Sequence, residues 1–144
     1  MDFSMIKYLR ECDEKNQEEK AEECGVARST YAGWENGLDI IPLKKLIFLC
    51  NKYKVSVDYI LKLIKINNFS GEIIIDNNII SNNLYFYRMK ILGISQEDFC
   101  LPLKVNQSTY SSYETAKKTV NLSFLYSLWL TYNISIDWVL SKHD

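Results

Sequence analysis

The chain has 144 residues, of which 47% are hydrophobic, and its 17 basic and 18 acidic side chains give a formal net charge of −1. This length suffices for one ordinary domain or two very small ones, and the hydrophobic content argues against global disorder. A nearly neutral chain is unlike a nucleic-acid coat protein, which needs a strongly basic surface, although one local face can still contact DNA.

The cysteine and histidine pattern argues against a metal site. Cys12, Cys24, Cys50 and Cys100 are scattered without a C-x-x-C pair, and the single histidine is His143. A zinc site is therefore not expected, and four unpaired cysteines are typical of reduced thiols in the cytoplasm. No apolar run is long enough to span a bilayer, and the N-terminal residues lack the charged and apolar regions expected of a secretory signal. Abundant Ile, Asn, Lys and Tyr suggest an AT-rich bacterial or phage genome.

The first two predicted elements are short helices. Met5, Ile6 and Leu9 form the apolar side of a first helix. Asn16 is placed to cap a second helix, and Glu19 stands three residues later, as in a capping box.

Three further helices are predicted before residue 66. Gly25 marks a tight turn after the second helix, and a third helix follows over roughly residues 28 to 35. Pro42 opens a fourth helix, and Ser56 caps a fifth. The fourth helix is indicated by apolar residues at helical spacing, namely Leu43, Leu46, Ile47, Cys50 and Tyr53.

An Asn-rich stretch follows these helices and is interpreted as a linker over residues 67–82. The run Ile73–Ile75 within it is either a short extended segment or the lead-in to another helix. The favoured reading is a linker whose isoleucines pack against a neighbouring helix. The predicted domains are therefore residues 1–66 and residues 83–144.

The two predicted domains are related by an internal repeat. Residues 27–37 read ARSTYAGWENG and residues 106–116 read NQSTYSSYETA. The alignment runs without a gap from Gln17 opposite Gln96 to Lys62 opposite Ser141. Before Gln17 the first repeat is one residue shorter, so that Arg10 aligns with Arg88. This pattern indicates duplication of a helical unit.

Each repeat resembles the lambda-repressor-like helix-turn-helix of the Xre family. The first repeat carries Gln17-Glu18, Gly25-Val26, Ser29-Thr30 and Trp34-Glu35-Asn36-Gly37 in the family order; the second carries Gln96-Glu97, Val105, Ser108-Thr109 and Tyr113-Glu114. The resemblance implies an all-α fold of two tandem five-helix domains joined by a short linker.

The resemblance also implies structural roles for the residues that recur. Tyr31 and Trp34 are expected to face the core, as are Tyr110 and Tyr113. In the family the glutamate after the aromatic residue pairs with an arginine of the first helix, which gives the pairs Arg10–Glu35 and Arg88–Glu114. The alternative for each pair is a solvated surface contact that contributes little.

The third helix of such a domain lies in the major groove, so its remaining positions are candidates for DNA contact. Arg28 can donate two hydrogen bonds to guanine, or it is an ordinary exposed charge. Gln107 can make a bidentate contact to adenine. Gln17 and Gln96, at the start of helix two, are expected to bind a DNA phosphate. The alternative is that glutamine stands there only because it is a residue preferred at helix starts. The candidate set is Gln17, Arg28, Ser29, Ala32, Gly33, Gln96, Gln107, Ser108, Ser111, Ser112, Lys117 and Lys118.

Several residues depart from the family pattern. The loop of residues 38–41 is acidic and apolar, whereas the family usually has basic residues there, as at Lys117 and Lys118. Gly33 removes a side chain from the reading face of the first repeat. Pro102 is expected to kink or shorten the second helix of the second repeat.

These patterns predict a double-stranded DNA-binding transcriptional regulator, acting as a repressor in the cytoplasm, with no membrane partner. The alternative is a protein-interaction module, such as an antitoxin, anti-repressor or assembly factor, that keeps the fold and binds DNA weakly or not at all. A surplus of apolar residues could form the face of a homodimer or join the two repeats, or it could simply pack in the cores of the domains. No acid–base cluster or phosphate-binding loop indicates an enzyme, and no cofactor is expected.

Overall fold

A computed structural model describes residues 1–143. Within that range the regular secondary structure is entirely helical and there is no strand, which confirms the all-α prediction. The chain forms two compact units, residues 1–72 and residues 73–143. None of the helices described is long and apolar enough to cross a membrane.

The first unit contains five helices in the predicted order. Their bounds are α1 Ser4–Cys12, α2 Gln17–Cys24, α3 Arg28–Glu35, α4 Leu43–Tyr53 and α5 Val57–Ile60.

Local capping explains where these helices begin and end. Asn16 Oδ1 accepts a hydrogen bond from the Glu19 amide, and Glu19 Oε1 accepts one from the Asn16 amide, so the predicted capping box is confirmed. Gly25 ends α2 with a φ of 71°, a left-handed conformation that glycine adopts without steric cost. Ser56 caps α5 as predicted.

The second unit repeats this order with a longer first helix. Helix α6, Asn77–Phe86, continues directly into a π-helical turn at Tyr87–Leu92, which we call the π segment. The remaining helices are α7 Gln96–Cys100, α8 Gln107–Glu114, α9 Leu122–Tyr132 and α10 Ile136–Leu140.

The structure corrects the predicted linker of residues 67–82. Helix α6 begins inside it, because Asp76 Oδ1 accepts hydrogen bonds from the amides of Asn78 and Ile79. Ile80 is buried, so residues 77–82 belong to the second unit. The run Ile73–Ile75 is an irregular lead-in to this helix and forms no strand.

The π segment accommodates the residue by which the second repeat is longer. Arg10 Nη1 donates to the carbonyl of Lys15, five residues on, whereas Arg88 Nη1 donates to the carbonyl of Ile94, six residues on. Both bonds are 2.8 Å long. A π turn holds one more residue than an α turn, so the arginine keeps the same backbone partner in both units.

Pro102 has the predicted effect on helix two of the second unit. Helix α7 ends at Cys100, whereas the aligned α2 runs for eight residues to Cys24. Proline cannot donate the backbone hydrogen bond that would extend α7 past Leu101.

Asn83 joins the first and last helices of the second unit. Its Nδ2 lies within 3.2 Å of the carbonyls of Trp138, Val139 and Ser141 at the end of α10. Carbonyls at a helix C-terminus lack partners within the helix, so one buried amide group satisfies several of them.

Candidate nucleic-acid interface

Helix α3 divides into a buried face and an outward face. Tyr31 and Trp34 are 0% and 2% exposed, as predicted, and their rings meet edge to face at 5.7 Å. Since successive residues of an α-helix are about 100° apart, Ser29 and Gly33 fall on the side opposite this aromatic pair. The side chains of Arg28 and Ser29 are exposed, and Ala32 is half-buried.

Arg10 fixes α3 to the first helix. Its Nε donates to Glu35 Oε1 at 2.6 Å and its Nη2 donates to Glu35 Oε2 at 3.1 Å, a bidentate geometry. The Glu35 side chain is 1% exposed, so this contact is buried and is not a solvated surface pair. Burial alone would raise the pKa of Glu35, but the hydrogen bonds from Arg10 and Gln17 hold it below its ordinary value.

The second unit contains the corresponding ion pair. Arg88 Nε donates to Glu114 Oε2 at 2.9 Å, and Arg88 Nη2 donates to Glu114 Oε1 at 2.6 Å. The two side chains are 9% and 5% exposed. Burial opposes ionisation of Glu114, yet the bonds from Arg88 keep its pKa low.

Gln17 belongs to the same network in the first unit. Its Nε2 donates to Glu35 Oε2 at 2.9 Å, which ties the start of α2 to the end of α3. Gln96 is the aligned residue of the second unit, and alongside Arg88, whose effect is larger, it helps to lower the pKa of the Glu114 carboxyl. The sequence predicted phosphate contacts for both glutamines but did not predict their role beside the buried glutamates. The Gln17 amide has two N–H donors, so one remains for a ligand after the bond to Glu35.

The outward residues of α8 are also partly engaged. Gln107 and Ser108 are exposed, and Asn106 Oδ1 accepts hydrogen bonds from both the amide and the hydroxyl of Ser108. Ser111 and Ser112 are half-buried, and the Ser112 hydroxyl donates to the carbonyl of Thr109. Gln107 is therefore the long, exposed side chain among the four contact residues predicted on α8.

The structure corrects the role predicted for Gly33. Gly33 is buried, because the chain after α3 folds back over it: the amides of Leu38 and Asp39 both donate to the Gly33 carbonyl. The Asp39 carboxylate covers the α-carbon, so that a β-carbon on Gly33 would lie 2.6 Å from Asp39 Oδ2. The space beside Gly33 that was predicted to face DNA is thus filled by the Asp39 carboxylate.

The loops after α3 and α8 have matching backbones and opposite charges. The amides of Lys117 and Lys118 both donate to the Ser112 carbonyl, as those of Leu38 and Asp39 do to Gly33. Lys117 and Lys118 are exposed. The second unit therefore presents two cations where the first presents an apolar side chain and an anion.

The comparisons with known proteins found a family match, which lies in the first unit, and a curated relative. Residues 6–60 match the family described as Helix-turn-helix. The chain is also 43% identical over 58 residues to a Bacillus subtilis (strain 168) protein named "Uncharacterized HTH-type transcriptional regulator YobD". That alignment covers 40% of this chain and 52% of the relative, so the chain matches about half of the relative's length. No solved structure matches.

The first unit thus carries a helix-turn-helix domain, with α2 and α3 as its central pair. The turn between them is closed by the Gly25 amide, which donates to the Glu22 carbonyl, and by the Val26 amide, which donates to the Ala21 carbonyl. Lys45 Nζ donates to the Cys24 carbonyl at 2.7 Å and anchors the turn to α4. The turn therefore fixes the start of α3, and the Arg10–Glu35 pair fixes its end.

The cysteines do not form a reactive or metal-binding group in the described residues. Cys24, Cys50 and Cys100 are buried, Cys12 is exposed, and all four are free thiols. Burial raises the pKa of Cys24, and it raises the pKa of Cys100 to about 11, so both remain protonated at neutral pH. Residues 1–143 contain no cluster of metal-ligating side chains.

Proposed function

We propose that this protein is a sequence-specific, double-stranded DNA-binding transcriptional regulator of the Xre type that acts as a repressor in the cytoplasm. Helices α3 and α8 insert into the major groove in this proposal, one from each tandem domain. The match of residues 6–60 to the helix-turn-helix family and the name of the Bacillus subtilis relative support the DNA-binding role.

One observation carries the proposal for the first unit. The buried Arg10–Glu35 pair orients α3, and the same helix presents Arg28 and Ser29 to solvent. A helix that is fixed to its scaffold and carries an exposed arginine at its N-terminus is suited to bidentate recognition of guanine.

The second unit contributes a complementary set of groups. Gln107 offers bidentate contact to adenine, while Lys117 and Lys118 offer charge to the DNA backbone. Two reading helices on one chain raise the effective concentration of the second contact once the first has formed. We therefore expect an operator with two half-sites.

The experiment that tests this function is selection from a random duplex pool by the full-length protein at moderate salt. We expect enrichment of two related half-sites. The logarithm of affinity should then fall with the logarithm of salt concentration, by about 0.9 for each phosphate contact. A well-folded protein that enriches no sequence would refute the proposal.

A protein-interaction module is the second candidate, and one observation favours it. The first helix of the second unit exposes Tyr85, Phe86, Met89 and Ile91, with exposed fractions of 40% or more. Apolar surface of this kind is typical of contacts with another protein or with a second copy of the chain. Weak duplex binding at every salt concentration, together with a dimer in light scattering, would favour this candidate.

A further inference from the structure

The outward face of α3 lacks a side chain at its centre. Gly33 lies one helical turn after Ser29 on the side opposite Tyr31, so this outward position of α3 carries no side chain of its own. The aligned position of α8 is Ser112, whose hydroxyl is engaged with its own helix. The first unit therefore has a gap in the middle of its proposed reading surface.

Asp39 fills that gap from the loop. Its Oδ2 lies 2.6 Å, and its Cγ 3.5 Å, from the position that a Gly33 β-carbon would occupy. The backbone holds it there, because the Asp39 amide donates to the Gly33 carbonyl at 3.2 Å. No ion pair or hydrogen bond to this carboxylate is formed by any of residues 1–143, and Asp39 is exposed. Its oxygens can therefore accept from a ligand.

The chemistry of the groove identifies the base that this carboxylate fits. Cytosine presents the N4 amino donor, which aspartate can accept, beside a C–H edge. Adenine presents its N6 donor next to the N7 acceptor, which would repel a carboxylate. Guanine N7 and O6 are both acceptors, so neither favours an anion.

We propose that Asp39, acting in place of a side chain at position 33, is a specificity-determining residue that accepts a hydrogen bond from N4 of a cytosine. This inference rests on the proposed DNA-reading function. In this proposal a base contact of the first unit comes from the loop after α3. The aligned residue of the second unit, Lys118, contacts the DNA backbone instead.

The test uses the full-length protein and the duplex that wild type selects. Affinity is measured for that site and for a copy in which the relevant C·G pair is changed to T·A. We expect wild type to discriminate by roughly 5- to 150-fold, since one good base contact contributes about that much. Asp39→Ala should reduce the ratio to near one.

Gly33→Ala gives a second, independent variant. The added methyl group must displace the Asp39 carboxylate, while alanine favours a helix interior more than glycine does. We expect this variant to lose the same base preference without melting at a lower temperature. Glu11→Ala is the charge control, because it removes one exposed carboxylate from α1 and should leave the C·G preference intact.

The outcomes separate this inference from the proposed function. If wild type binds no duplex, the function itself fails. If wild type discriminates and Asp39→Ala discriminates equally, only the role of Asp39 is overturned. If Asp39→Ala binds every duplex more tightly by one common factor, Asp39 repels phosphate, and base reading by this residue is refuted.

Discussion

Phe99 stacks face to face on Tyr132, with ring centroids 4.7 Å apart and ring planes 2° apart. The aligned pair in the first unit is Lys20 and Tyr53, where the Lys20 ammonium lies 4.8 Å from the ring centroid. Lys20 is fully buried and donates to Asp13 at 3.0 Å and to Glu23 at 2.7 Å. The same helix junction is thus closed by a buried cation in one unit and by an aromatic stack in the other.

The buried cation gives a prediction about stability. Lys20→Ala should lower the unfolding free energy of the first unit by about 2–3 kcal/mol, because it leaves a cavity where the long stem packed. Lys20→Met keeps the stem volume and should cost less than half as much. Amide hydrogen exchange at increasing urea would measure this unit by unit. Equal losses for both variants would show that the charge, and not the packed stem, dominates.

The two buried ion pairs predict acid sensitivity. The pKa values of Glu35 and Glu114 lie below their ordinary value, so the unfolded chain takes up protons first as pH falls. The stabilisation is complete above the unfolded glutamate pKa of about 4.3, and it is lost as pH falls through the lower folded values.

Urea midpoints between pH 6 and pH 3 would measure this effect. Glu35→Gln and Glu114→Gln should each be less stable at pH 6, by up to about 3–5 kcal/mol because a buried arginine loses its counter-charge. Each should also show a shallower decline with acid than wild type. An unchanged slope in both variants would mean that other carboxylates govern acid unfolding.

The turn after α8 predicts a stabilising substitution. Ala116 has a φ of 62°, in the left-handed region, where the aligned Gly37 has a φ of 74°. A β-carbon costs about 1–2 kcal/mol there, so Ala116→Gly should stabilise the second unit by up to about 1 kcal/mol after the entropy of glycine is subtracted. Gly37→Ala is the reciprocal control and should destabilise the first unit. Thermal melting would detect the change in melting temperature of both variants. A lower melting temperature for Ala116→Gly would show that the left-handed backbone at Ala116 is not strained.

The exposed cations predict two kinds of binding defect. Arg28→Ala should relax base preference at one position, at a cost of about 1–3 kcal/mol for the preferred site. Lys117→Ala combined with Lys118→Ala should weaken binding to all sequences alike and reduce the salt slope by about 2. Competition binding at several salt concentrations separates the two effects. Wild-type behaviour of both variants would show that the interface lies elsewhere.

The helix starts were predictable because their signals are local. Asn16 and Ser56 each accept a hydrogen bond from the amide three residues later, and a side-chain type at a fixed spacing is visible in any sequence. The start of α6 was missed although Asp76 is a similar cap, because six asparagines around it outweighed the apolar spacing of Ile79 and Ile80. Weak helix propensity was overridden by tertiary burial.

The interface was less predictable because its decisive contacts are not periodic. The sequence placed Gly33 on the outward face, but only the folded loop brings the Asp39 carboxylate over it. The bond from Gln17 to Glu35 joins two helix ends across the turn, and no spacing rule anticipates it. The sequence also does not explain why Phe99 stands where the first unit has Lys20. The structure explains it, because Lys20 lies over the Tyr53 ring and Phe99 stacks on the Tyr132 ring.

The π segment predicts that the second unit tolerates the loss of one residue. Deleting a residue from an ordinary helix rotates everything beyond it by about 100° and separates partners such as Arg88 and Glu114. In Tyr87–Leu92 the helix already carries a surplus residue, so removing one downstream of Arg88 would restore α geometry and the spacing found between Arg10 and Lys15. The two units therefore differ by one residue that is accommodated within a helix, and we expect a chain without it to keep the loops of the second unit unchanged.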